Sequence, residues 1–391
     1  MESTSADRVA EELLECCLAG RPWTEHLLDP LIAESGNSAL FRIVVERLGD
    51  LFEPRLCHVY ADLFADIIAR RIPELRHAQH LIARYDRIRR PKKVDRAPES
   101  VFVLSRVTLG ADVAITSILL DAAKQRFPES QIWFVGPRKS WELFAADTRL
   151  RHLPIAYGRA GTLDERLSIW PQLREAVCQP HGIVIDPDSR LTQLGLLPIC
   201  REDDYYFFES RAYGRDGDES LSSLAGRWAA ETFGVEHARP YIHTGLDAPE
   251  FACTVSFGVG ENPDKRVADS FEEELLRQLP RPVLIDKGAG GQEAQRVERA
   301  VARAGGGIAM WDGSFAGFAA HIQRSKLYVG YDSAGGHVAA ACGVPLVSIF
   351  KGFASERMFQ RWRPTGSGRI TVIRADSTPD LLAAVRAAVN V

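Results

Sequence analysis

Apolar positions along the chain change period near residue 97. From Ala6 to about Ala83 they recur at three- and four-residue steps, through Val9, Leu13, Leu14 and Leu18 and again from Leu40 through Ile43, Val44 and Leu48. That spacing lays one stripe of a helix against a core, and Gly and Pro punctuate the segments, so a small all-helical unit is predicted. Beyond residue 97, short apolar runs alternate with helical stretches: 101–104 as strand, 114–127 as helix and 131–135 as strand. Strand, helix and strand in this order make a parallel unit. Residues 182–186 add a strand and 221–233 a helix. A second series follows, with strands at 254–257, 282–285, 326–331 and 345–350 and a helix at 271–279. The pattern predicts two doubly wound α/β halves joined near residues 240–250. The expected divisions are 1–97 for the helical unit with a basic linker, 98–245 for a first Rossmann-like domain and 246–391 for a second.

Composition narrows the class. The 391 residues are 46% hydrophobic and 26% charged, as in globular proteins, and 48 Lys and Arg against 52 Asp and Glu leave a net charge of -4. No global positive field exists to hold nucleic acid, so no nucleic-acid partner is expected. The seven cysteines are odd in number and include no C-x-x-C pair, which argues for reduced thiols and against a disulfide framework or a zinc site. A polar stretch over residues 1–7 and the absence of any run of 18 apolar residues give the expectation of a cytoplasmic protein without signal peptide or membrane span. Residues 84–96 carry seven basic and two acidic side chains with one proline. They read first as a solvated linker, and second as a surface for anionic lipid headgroups or a phosphorylated acceptor. The second reading brings peripheral contact with the inner face of the membrane, or with a protein, through the helical unit.

Ligands of open α/β sheets bind beyond the carboxyl ends of the strands, so the loops there are the candidate sites. In the 105–113 loop, Asp112 stands where a helix begins. It reads as an N-cap or as a general base presented into the cleft, with the preceding glycine leaving room for a ligand; spacing favours the cap. The 257–266 loop places Gly258 and Gly260 ahead of Lys265, exposed N–H groups with a mobile cation, the combination that suits phosphate; no P-loop pattern is present. After the strand ending near Tyr331, Asp332, Ser333, Gly335, Gly336 and His337 open a helix of small residues, a ready anion site with hydroxyl-binding groups beside it. Lys351 and Glu356 follow another strand within reach of a bound nucleotide. Asp186 and Asp188 form a D-x-D with no companion ligands, which reads as a strand end with a turn, so neither metal nor other cofactor is expected.

Taken together, the Gly110-Ala111-Asp112 segment with the helix behind it, Lys265, and Asp332 to His337 followed by Gly343 and Pro345 resemble the ADP-heptose:lipopolysaccharide heptosyltransferases. These are inverting glycosyltransferases of GT-B fold, and the resemblance spans about residues 100–391. It implies Asp112 as catalytic base and Lys265, Asp332, Ser333, Gly335, Gly336 and His337 as the site for a nucleotide-diphosphate sugar. It also implies a glycan or lipid-linked glycan hydroxyl as acceptor. Ala111 between Gly and Asp, Ile118 in place of a common Pro, Ala334 in place of Gly and Lys351 within the usual Phe-Gly mark a divergent branch. The competing readings are a nucleotide-sugar-binding scaffold that has lost catalysis and an epimerase or hydrolase on the same architecture. A nicotinamide dehydrogenase is disfavoured because G-x-G-x-x-G is missing after the first strand.

Overall fold

The computed structural model describes residues 5–33, 37–158, 161–260, 262–288 and 290–390. Residues 1–4 of the polar amino terminus and Glu261 of the glycine-rich loop lie outside them. Strands β1 (Ser100–Leu104), β2 (Gln131–Gly136), β3 (Leu150–Pro154), β4 (Gly182–Asp186) and β5 (Tyr205–Phe207) form a first sheet in the order β3-β2-β1-β4-β5. Strands β6 (Cys253–Ser256), β7 (Val283–Asp286), β8 (Ile308–Trp311), β9 (Tyr328–Tyr331), β10 (Leu346–Phe350) and β11 (Ile370–Arg374) form a second, ordered β11-β10-β9-β6-β7-β8. All pairings are parallel. In each sheet the winding reverses beside the first strand, between β1 and β4 and between β6 and β9, and a reversal of this kind opens a crevice at the strand ends.

Central strands are buried on both faces, which explains their continuous apolar runs. Along β1, Val101 and Val103 join one core while Phe102 and Leu104 join another. The second of these cores also holds Leu13, Leu28, Leu56, Phe64 and Tyr85, so the amino-terminal helices are not a free-standing unit. Their apolar stripe is covered by one face of the first sheet. The other core runs from Val103 and Phe134 through Trp228 to Tyr328, Val338 and Leu346, joining the two α/β units by apolar packing. Buried Arg361 adds polar ties, donating to Glu219 O at 2.7 Å and Arg215 O at 2.9 Å.

The basic run 84–96 is not a solvated linker. Its first residues complete the helix Ala78–Ile88, and five of its seven cations are docked on the first α/β unit. Arg84 donates to Gly195 O at 2.6 Å, Arg87 pairs with Glu202 at 2.7 Å and Arg89 with Glu209 at 2.7 Å; Lys92 donates to Glu202 O at 2.5 Å, and Arg96 pairs with Asp204. The acidic turn at residues 202–204 is the complement, so the charge serves internal docking, with Arg90 and Lys93 left exposed. Among the described residues no helix is long and apolar enough to cross a membrane.

Candidate active site

The second sheet's reversal point brings two of the sequence candidates into contact. Asn262 caps the turn Pro263–Lys265 by accepting from Asp264 N at 3.0 Å. This sets Lys265 at the end of β6, where its Nζ meets Asp332 Oδ2 at 2.6 Å at the end of β9. Immediately beyond begins the helix Ala334–Ala341, whose N-cap residue Ser333 makes no capping bond with its hydroxyl. A helix start without a side-chain cap leaves N–H groups and a partial positive charge for an anion. Lys265, Asp332, Ser333, Gly335, Gly336 and His337 are thus one cluster. His337, 6% exposed, lies edge-on to Trp362 at 5.8 Å. Burial lowers its pKa, Asp332 opposing and Lys265 reinforcing that shift, so at neutral pH it offers one ring N–H rather than a charge.

The paired glycines differ in purpose. A Cβ on Gly335 would lie 2.1 Å from Tyr328 Oη, so glycine is required there by the buried tyrosine beneath, whereas a Cβ on Gly336 would meet nothing nearer than 3.8 Å. Gly260 takes φ +63° in open space, a turn requirement, and a Cβ on Gly258 would stand 3.0 Å from Glu293 Oε1. Lys351 is drawn to Asp264 O at 3.1 Å and buckles the loop after β10 onto that after β6. Glu356 pairs with Arg374 at 3.0 Å on the surface and is not gathered into the cluster.

Asp112 is neither an N-cap nor open to the cleft. It lies inside a helix that runs through Leu109–Ala111, a wide π-type turn at Asp112–Thr116 and Ser117–Arg126. Its carboxylate is fully buried and accepts from Ser105 Oγ at 2.7 Å, Arg106 N at 2.7 Å and Thr116 Oγ1 at 2.8 Å, with the Ser140 hydroxyl also turned to it. Burial raises its pKa while these donors pull it down. The space expected beside Gly110 for a ligand is taken by the other α/β unit, since a Cβ there would lie 3.4 Å from both Ala334 Cα and His337 Cδ2. The two reversal points therefore face each other and are closed together at this contact.

Asp186 ends β4 and caps the following turn, accepting from Ser189 N at 2.6 Å, Thr192 Oγ1 at 2.5 Å and the Tyr205 hydroxyl. Burial raises its carboxyl to about 6 despite those donors. Between about pH 4 and 6 the folded chain holds this proton more tightly than the unfolded one, so its contribution is complete below pH 4 and lost as pH climbs through 6, about 3 kcal/mol in all. Asp186→Asn lacks the titration. Its denaturant stability relative to wild type is expected to improve by most of that amount, about 2–2.5 kcal/mol, from pH 4 to pH 7, and a constant difference across the range would refute the assignment. Asp188 is fully buried at φ +68° and bridges Arg211 at 2.9 Å and Arg106 at 3.4 Å. Sequence spacing pointed to neither arginine, because each reaches Asp188 from a different loop.

Residues 312–379, which contain this helix and β9 to β11, match the family model of Glycosyltransferase family 9 (heptosyltransferase). This part of the chain is similar to the family 9 glycosyltransferases. Solved structures agree in fold. The E. coli heptosyltransferase WaaC with ADP is 16% identical at a TM-score of 0.55, covering 74% of this chain and 99% of that one. E. coli ADP-heptose lps heptosyltransferase II is 16% identical at 0.51, covering 74% and 97%. The family 9 glycosyl transferase from Veillonella parvula is 15% identical at 0.53, covering 75% and 91%. No curated protein matches the chain. The matched residues lie wholly in the second unit and hold Asp332, Ser333, Gly335, Gly336 and His337 of the cluster, while Lys265 lies outside them.

Proposed function

We propose that the protein is an inverting glycosyltransferase that moves a sugar from a nucleoside-diphosphate donor to an acceptor hydroxyl without a metal ion. The observation that carries this reading is the Lys265–Asp332 pair at the sheet reversal, directly in front of the helix that starts at Ala334. As the glycosidic bond breaks, the departing diphosphate gains negative charge. Helix N–H groups, the Lys265 ammonium and a neutral His337 N–H aimed there stabilise it more than the ground state. Lys265 would exchange its carboxylate partner for the phosphate, freeing Asp332 to accept from hydroxyls of the donor. WaaC has been solved with ADP and with ADP-2-deoxy-2-fluoro heptose, which makes an ADP-sugar the first donor to try. Asp112, from the opposite unit, takes the acceptor's proton once Gly110 parts from the Ala334–Ala341 helix. The acceptor is a hydroxyl of a glycan or lipid-linked glycan.

Calorimetric titration with ADP in EDTA and in magnesium tests the donor site. Equal affinity in both is expected, with Lys265→Ala weaker by about 10- to 100-fold, since a charged hydrogen bond to phosphate is worth about 1.5–3 kcal/mol. ADP binding that needs magnesium, or that ignores Lys265, defeats the reading. The sealed carboxylate of Asp112 favours one alternative, a nucleotide-sugar-binding protein without catalysis. That alternative predicts donor binding with no turnover for any acceptor, and an epimerase or hydrolase would consume donor with no acceptor present.

A further inference from the structure

Where the amino-terminal helices meet the first α/β unit there is a cavity of about 220 Å³. Arg106, Arg190 and Arg211 line it from the α/β side, Asp50 and Tyr60 from the helices, and Trp362 closes the end nearest His337. Arg211 is 4% exposed and spends Nε and Nη2 on Asp188 at 2.9 and 3.2 Å, its guanidinium 4.8 Å above the Tyr60 ring. Its Nη1 is buried with no hydrogen-bond partner. Buried donors without acceptors are rare in folded proteins, and a guanidinium N–H is among the most demanding.

Charge points the same way. Asp188 is shared between Arg106 and Arg211 and so neutralises only one of them. Arg190 is exposed, and among the described residues its side chain makes no hydrogen bond or ion pair. Glu46 and Arg166, also on the wall, contribute one charge of each sign. Asp50 opposes the arginines, but burial raises its carboxyl, against the pull of Lys265 and Arg190, which lessens its repulsion of an incoming anion.

We propose that this cavity is an oxyanion site, completed by the amino-terminal helices, that receives a phosphate or carboxylate group of the acceptor. An oxyanion supplies both the acceptor that Arg211 Nη1 lacks and the charge that Arg190 and Arg106 leave unbalanced. Its place one aromatic ring from His337 sets the group beside the donor cluster. Assigning the anion to the acceptor rests on the transferase reading, whereas the site itself does not.

The test titrates the full chain with inorganic phosphate and with glucuronate, each alone and in saturating ADP, for wild type and Arg190→Ala. Among the described residues the Arg190 side chain makes no hydrogen bond or ion pair, so its removal is expected to leave folding intact, which the unfolding midpoint checks. The expected result is binding of at least one anion that persists in ADP and weakens tenfold or more in the variant, with ADP affinity unchanged. The preferred anion then tells whether phosphate or carboxylate is the natural group. Absence of binding, or binding that ignores Arg190, overturns the site. Displacement of the anion by ADP, one for one, assigns the cavity to the donor and overturns the acceptor role. Arg190-dependent anion binding in a protein that binds no nucleotide would leave the site standing and the transferase reading without support.

Discussion

Asp112→Asn is expected to lower sugar transfer by about 10²- to 10⁴-fold, the range for loss of a general base, with ADP affinity unchanged. The substitution is close to isosteric. Ser105 and Thr116 have hydroxyls that can reverse their roles, and only the Arg106 N–H must keep an oxygen, so the fold should lose no more than about 1–3 kcal/mol. Two measurements separate chemistry from structure: single-turnover transfer with an ADP-sugar, and denaturant unfolding. Loss of activity with intact ADP binding and a small stability change would identify Asp112 as the base despite its present seal. Activity close to wild type would mean that the carboxylate only braces the loop after β1, and that the proton goes to another group.

Gly335→Ala should be the most disruptive single methyl near the site, and its neighbour the least. The new Cβ would lie 2.1 Å from Tyr328 Oη and 2.7 Å from its Cζ, against a fully buried ring in the central strand β9. Overpacking of that kind costs about 3 kcal/mol or more. Tyr328→Phe in the same chain removes the nearest atom and is expected to restore part of the loss. Gly336→Ala meets only ordinary contacts and is helical, so it should hold or gain up to about 1 kcal/mol. Urea midpoints of the three variants check this. Equal, mild effects at both positions would show that the helix can shift away from Tyr328, and would return Gly335 to a ligand-approach role.

Much of the architecture was legible because burial on both faces writes itself as a continuous apolar run. β1, β2, β4, β6, β7, β9 and β10 were each readable within a few residues for that reason. The edge strands β3, β8 and β11 hold at most one fully buried position each and left no such run, and the edge strand β5 is buried throughout but only three residues long. In the site, Asp332, Ser333 and His337 were readable together because they are adjacent on one turn, and Lys265 joined them through the family's order of motifs. Glu356 misled because a charge after a strand says nothing about its direction, and here Arg374 claims it.

Local sequence therefore determined what depends on short-range pattern: the helical start, the two parallel α/β series, the loops at the strand ends and the small-residue helix behind Asp332. Tertiary structure alone decided what depends on meetings between distant residues. It turned the basic run of 84–96 onto an acidic turn more than 100 residues away, as in the Arg87–Glu202 pair, instead of into solvent. It sealed Asp112 among Ser105, Arg106 and Thr116, and it brought Asp50, Arg190 and Arg211 to one cavity. The physical reason is that periodicity records only whether a side chain is buried. Which partner satisfies a buried charge is set by the crossing of segments, and no spacing in the chain encodes that.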